Sequence, residues 1–326
     1  MWVMVMRCVF KHHVYLCVVS TALMAGLALT SHTSKAYANQ NCGSGSGAKT
    51  ISDNVGPIVC DSGVTRTLNS SRGGDINIDM DEDMGSGEAA GAAVTVTGPG
   101  TNITIGKTLK VTGGLKGKPV IKVERGGALT LVEEVNVKGA GATIKKAIVV
   151  EGQGSSVTLN GKLTGFEGGE VKVSKGGTVV LGEGVEGIEG MKVKINDGGM
   201  VNMMGDVAFN NGEAGIKITG SRGNASVMGM GKTMTVTKGG GIQMDGDGGT
   251  ASVVMLNIVG SGMGVDMQGT GTLNLTSVGI SEFRVGVNAK NGTVNINGNS
   301  TITVTNSGTG IMVGSGATVK MMGGKD

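Results

Sequence analysis

The sequence predicts an all-β protein, a right-handed parallel β-helix (β-solenoid) of about ten coils. Three observations predict it: a strand-turn-strand phrase that recurs with a period near 24 residues, apolar/polar alternation inside each phrase, and glycine in the turns. The copies read AVTVTGPGTNITI, VIKVERGGALTL, AIVVEGQGSSVTL, EVKVSKGGTVVL, KVKINDGGMVNM, GIKITGSRGNASVM, GIQMDGDGGTASVVM, GVDMQGTGTLNL, GVNAKNGTVNI and GIMVGSGATVKM. Their first apolar residues are Val94, Ile121, Ile148, Val171, Val193, Ile216, Ile242, Val265, Val287 and Ile311, with steps of 22 to 27 residues.

Each phrase supplies two short strands. Alternation puts one row of side chains inside and one outside. Val171 and Val173 point one way, while Lys172 and Ser174 point the other. The Gly-Gly or Asn-Gly between strands offers the positive φ of a sharp turn. A weaker third segment follows in many copies, such as 161–166, 256–260 and 301–306. Three strands per turn complete one coil. One coil cannot bury its inner face, so stacked coils must share a continuous core. A sandwich would not need a constant phrase, and a propeller blade needs a longer unit.

Methionine concentrates after residue 190, from Met191 to Met322, and is expected to fill irregular gaps in the core. Asn257, Asn274, Asn295, Asn297 and Asn299 either stack as amide ladders or face solvent in turns.

The ends differ from the repeats. Residues 1–38 read as a signal peptide: a basic start at Arg7, Lys11, His12 and His13, an apolar run Val14 to Leu29, and Ala36-Tyr37-Ala38 before a cleavage between Ala38 and Asn39. The run is shorter than the roughly 20 residues of a membrane-spanning helix. Residues 39–92 are expected to form an N-terminal cap over the open edge of the sheet, and 93–326 the repeats. Cys42 and Cys60, an even pair in an exported chain, are predicted to form a disulfide.

Composition excludes several functions. The chain has 28 Lys+Arg and 25 Asp+Glu, and removing the signal leaves 25 of each. That balance argues against a nucleic-acid or anionic-membrane partner. All three histidines, the one Trp and both tyrosines lie in the signal, leaving Phe166, Phe209 and Phe283 as the aromatic residues. Without histidine, His-based nucleophilic catalysis and His-ligated metal have no support, and no cofactor is expected. A polysaccharide-active β-helix enzyme would rest on paired carboxylates, and two converging acids in a groove would favour it. Asp79-x-Asp81-x-Asp83 opens like a calcium loop, but Met84 and Ala90 stand where that loop needs Gly and Glu.

The start KHHVYLCVVSTALMAGLALTSHTSKAYA, the NQNC…C segment and the Gly/Thr/Val repeats resemble a type V autotransporter passenger. They are similar to the passengers of Bartonella autotransporters. The resemblance implies Sec export, a β-helical passenger at the cell surface or secreted, and a non-catalytic role as an adhesin or host-directed effector. Its partners would be host-cell surface or matrix proteins, contacted through the longer coils around 107–119 and 220–235. The outer-membrane barrel expected of such proteins is not encoded in this sequence. Periplasmic retention follows if no barrel is available, and a truncated, degenerate remnant is the remaining alternative.

Overall fold

The computed structural model describes residues 40–52, 56–81, 91–138, 145–185, 187–188, 190–220 and 223–323. The signal 1–38, the Ala38/Asn39 cleavage point and Asp83 lie outside the described residues. Among the described residues the chain is a parallel β-solenoid of about nine turns, with a period near 24 residues and no helix.

One coil shows the plan. Ile121–Glu124 lies on a first face, Ala128–Leu131 on a second and Val135–Lys138 on a third. Each pairs in parallel with its equivalent in the coil before and the coil after, at the spacing of about 4.8 Å that backbone hydrogen bonds impose. The third face is interrupted once. A four-stranded sheet ends at Leu163–Thr164, and the face resumes at Gly187–Ile188. The last two coils run as unbroken strands, Gly279–Asn297 and Thr301–Met322, that turn the corners through register shifts between Ser281 and Val285 and between Ala289 and Asn291.

The alternation in the sequence becomes columns in the core. The ten residues from Val94 to Ile311 stack one upon the next without a break in register. Ile58 extends this column by one coil. Two residues further on, Val96, Val123, Val150, Val173, Ile195, Ile218, Met244 and Met267 form a second buried column. Burying each such side chain contributes roughly 1.5–3 kcal/mol. Phe166, Phe209 and Phe283 are all buried in the same core.

Corners are built from the turn chemistry the sequence supplies. Lys175 and Gly176 both take positive φ, 53° and 82°, between the first and second faces. At the coil before, the buried Ser155 hydroxyl does the equivalent work. It donates to the Glu151 carbonyl at 2.8 Å and accepts the Gly126 N–H of the neighbouring coil at 2.9 Å. Glycine recurs at the entry to the first face at positions 241, 264, 286 and 310, and at the first three of these the corner leaves no room for a Cβ. A Cβ at Gly264 would meet Ile280 Cγ2 at 2.5 Å and the Gly286 carbonyl at 2.7 Å.

Residues 40–52 and 56–81 join the same sheets. Gln40–Asn41 pairs with Ile58–Cys60, Gly47–Ile51 with Thr65–Ser70, and Ile76–Asp79 with Leu109–Thr112. Cys42 and Cys60 form a disulfide between neighbouring coils, with Cα atoms 5.0 Å apart and both residues fully buried. Arg66, in register with buried Ile103, donates to the Ser46 carbonyl at 3.0 Å and to that of Ser44, tying down the turn after Cys42.

Two expectations are corrected. Met191, Met203, Met234, Met244 and Met267 are core residues, but Met200, Met204, Met230, Met255, Met312, Met321 and Met322 are exposed. Apolar composition does not distinguish an inward strand position from a corner. Met230 and Met255 occupy turns, at φ of 52° and 48°. The stretch 220–235 is not one long loop either, since its described residues include the strand Asn224–Met228 and most of Thr233–Val236. The connection after Leu109–Thr112 is the longer excursion, reaching Ile121.

Candidate binding face

The outward row of the first face carries a chemistry that the inward columns fix in place. Lys122, Val149, Lys172, Lys194, Lys217, Gln243, Asp266 and Asn288 occupy successive positions in register. Lys172, Lys194 and Lys217 therefore stand on three consecutive coils, about 4.8 Å apart at the backbone. Each follows its anchor directly, in Val-Lys-Val, Val-Lys-Ile and Ile-Lys-Ile. Their outward direction is a necessary result of the inward valines and isoleucines.

Carboxylates neutralise the two ends of this row but not its middle. Lys122 Nζ lies 2.9 Å from Glu124, and Lys217 Nζ lies 2.6 Å from Asp245. Lys175 reaches back across one coil to Glu151 at 2.5 Å. That hydrogen bond, helped by the charges of Lys175, Lys172 and Lys122, holds the Glu151 carboxyl below the usual carboxylate range despite its partial burial. The same bond raises the Lys175 ammonium above its ordinary value. Lys172 and Lys194 have no carboxylate within 4.0 Å among the described residues. Like charges in direct cross-strand register repel, and in this pair the repulsion is offset only at longer range, by the Glu151 carboxylate acting on Lys172.

A polar row runs alongside. Ser174, Asn196 and Thr219 are in register on the same three coils. The Thr219 hydroxyl donates to Asn196 Oδ1 at 2.6 Å, which leaves the Asn196 amide N–H group without a partner among the described residues. Ser174 is 3% exposed, and its hydroxyl oxygen has no hydrogen-bond partner among the described residues. Further along the face, Asp266 is 6% exposed. It accepts from Asn288 Nδ2 at 2.8 Å and from Gln268 Nε2 at 2.5 Å, with Lys290 at 4.0 Å.

The residues singled out for other chemistry are placed as follows. Asp79 accepts the Asp81 N–H at 3.0 Å, and Asp81 accepts the Gly114 N–H of the next coil at 2.6 Å, so both carboxylates brace a turn. Among the described residues no group of three His, Cys, Asp or Glu is placed to hold a metal ion. Of the carboxylates that form ion pairs, Glu124 and Glu151 stand in register on adjacent coils, each bonded to a lysine, whereas Asp75, paired with Lys110, and Glu213, paired with Lys192, belong to other coils. Of the asparagines, Asn295 donates to Asn274 Oδ1 at 2.8 Å, a two-coil amide ladder, while Asn257 bonds the Gly231 carbonyl at 3.2 Å. No helix among the described residues is long and apolar enough to cross a membrane.

Compared with family models, with curated proteins and with solved structures, the chain matches none. The class that the coordinates define is a parallel β-solenoid carrying ordered rows of side chains on flat outer faces.

Proposed function

We propose that this is an exported, non-catalytic binding protein: an autotransporter-like passenger that acts as an adhesin or host-directed effector at the surfaces of other cells. The observation that carries this reading is the first-face row. Its side chains are held at one fixed spacing by a continuous core, which lowers the ordering cost of binding an extended partner. The buried Cys42–Cys60 disulfide supports an oxidising compartment outside the cytoplasm. The signal-like first 38 residues agree with export.

Incubation of the purified protein with host cells and with immobilised matrix proteins tests this, with far-UV circular dichroism reporting that the β fold is intact. Saturable binding is the expected result. A well-folded preparation that binds neither cells nor matrix overturns the proposal.

A further inference from the structure

Resting on that reading, we infer that the first face binds a linear acidic polysaccharide, laid along the solenoid axis over Lys172, Lys194 and Lys217. Three features select this class of ligand. The lysines repeat at the coil spacing, so Lys172 and Lys217 are about 10 Å apart along a straight line. A stiff chain that repeats its own charge matches such a line, whereas the acidic patch of a folded protein has no such period. Lys172 and Lys194 also have no carboxylate within 4.0 Å among the described residues, so an incoming anion relieves their mutual repulsion without displacing an ion pair there, and at Lys217 it shares the ammonium with Asp245, 2.6 Å away.

The flanking row supplies the second half of the recognition. The Asn196 amide N–H group, without a partner among the described residues, lies two residues beyond Lys194 on the same strand, while the Ser174 hydroxyl one coil earlier is buried beneath the face. Sugars carry hydroxyl groups beside their carboxylates or sulfates, and both kinds of group are met here. Nucleic acid fits less well. A single strand is held by phosphate contacts together with aromatic stacking, and Phe166, Phe209 and Phe283 are all buried. The face is also compatible with a protein of no net charge after signal removal, because the charge that matters is local.

Anisotropy titrations of the purified protein decide the matter. The probes are fluorescein-labelled heparin oligosaccharides, oligogalacturonate, neutral dextran and a single-stranded oligothymidine of equal charge. Binding of one or both acidic saccharides, weakened by added salt, is expected, with no binding of dextran and weaker binding of the oligonucleotide. The double variant Lys172→Gln/Lys194→Gln is expected to lose about tenfold in affinity, from two screened contacts. Lys172→Arg/Lys194→Arg should retain binding. Lys107→Gln/Lys232→Gln, which removes the same charge elsewhere, should change affinity less than twofold. Thermal melts keep the comparison honest, since the Gln variant relieves repulsion and should melt no lower than the wild type. Equal losses in both Gln variants, or equal affinity for the oligonucleotide, overturn the inference. Cell binding that survives Lys172→Gln/Lys194→Gln overturns this ligand assignment while leaving the adhesive reading standing. A protein that binds no cell or matrix removes both.

Discussion

Cys60 stands in register with Val96, so the disulfide occupies the end of the same inward column that continues through Val123 and Val150. The covalent link is a core element, placed where the stack would otherwise begin with two small side chains.

Replacing Cys60 with Ser should therefore lower stability by two routes. The chain loses a cross-link closing a loop of 18 residues, worth about 3 kcal/mol in the chain-entropy model, and gains a buried hydroxyl. Urea denaturation of wild type, Cys42→Ser/Cys60→Ser and reduced wild type checks this. The reduced protein should shift by the loss of the cross-link, and the double variant further, by its two buried hydroxyls.

Gly264 and Gly310 belong to one corner column, yet they should respond oppositely to alanine. A Cβ at Gly264 meets Ile280 and the Gly286 carbonyl, whereas Gly310 has nothing within 4 Å. Gly264→Ala should cost about 1–3 kcal/mol through overpacking. Gly310→Ala should be neutral or stabilising by about 0.5 kcal/mol, through the lower entropy of the unfolded chain. Paired denaturation curves separate the two.

Asn288 holds the buried carboxylate of Asp266 at 2.8 Å. Asn288→Ala removes one of its two amide donors and should cost about 2 kcal/mol. The loss should shrink in the Asp266→Asn background, because a neutral amide needs less compensation than a buried charge. A double-mutant cycle on chemical denaturation measures the coupling.

The Glu151–Lys175 pair sets a pH dependence of definite sign. The Glu151 value is depressed in the folded state. Its contribution is therefore present above the unfolded value, about 4.3, and is lost as pH falls through the lower folded value. The raised Lys175 value gives the mirror case. That contribution is present below about pH 10.4 and is lost as pH rises through the folded value. Both groups are solvent-exposed enough that salt should screen the effect. Thermal melts of wild type and Glu151→Gln across pH 3–6, at low and high salt, should converge at the acid end.

Much of this architecture was legible in the sequence. The anchors from Val94 to Ile311 could be read because burial on one side of a strand forces period two, and stacking forces the phrase to return. The disulfide could be read from an even pair of cysteines. The lysine row was harder to see. Its signal, an apolar-Lys-apolar start in three successive copies, is plain once the copies are aligned, but a chain whose charges sum to zero hides a local excess. The exposed methionines are not distinguishable in sequence, because a thioether at a turn, as at Met230 and Met255, or at an exposed strand position, as at Met200 and Met312, looks the same as one in the core. The glycine before each late anchor is visible as a pattern, but its reason at 241, 264 and 286, a carbonyl from the adjacent coil, belongs to the third dimension.

Each strand on the first face finds its partner one winding later in the chain, as Val171 finds Val193. From Val94 onward every such pairing closes a loop of 22 to 27 residues, so the cost of adding a winding stays nearly constant however many are already formed. Assembly can advance from one finished winding to the next like a zipper. The covalent cross-link between the first two windings provides a template from which it can start.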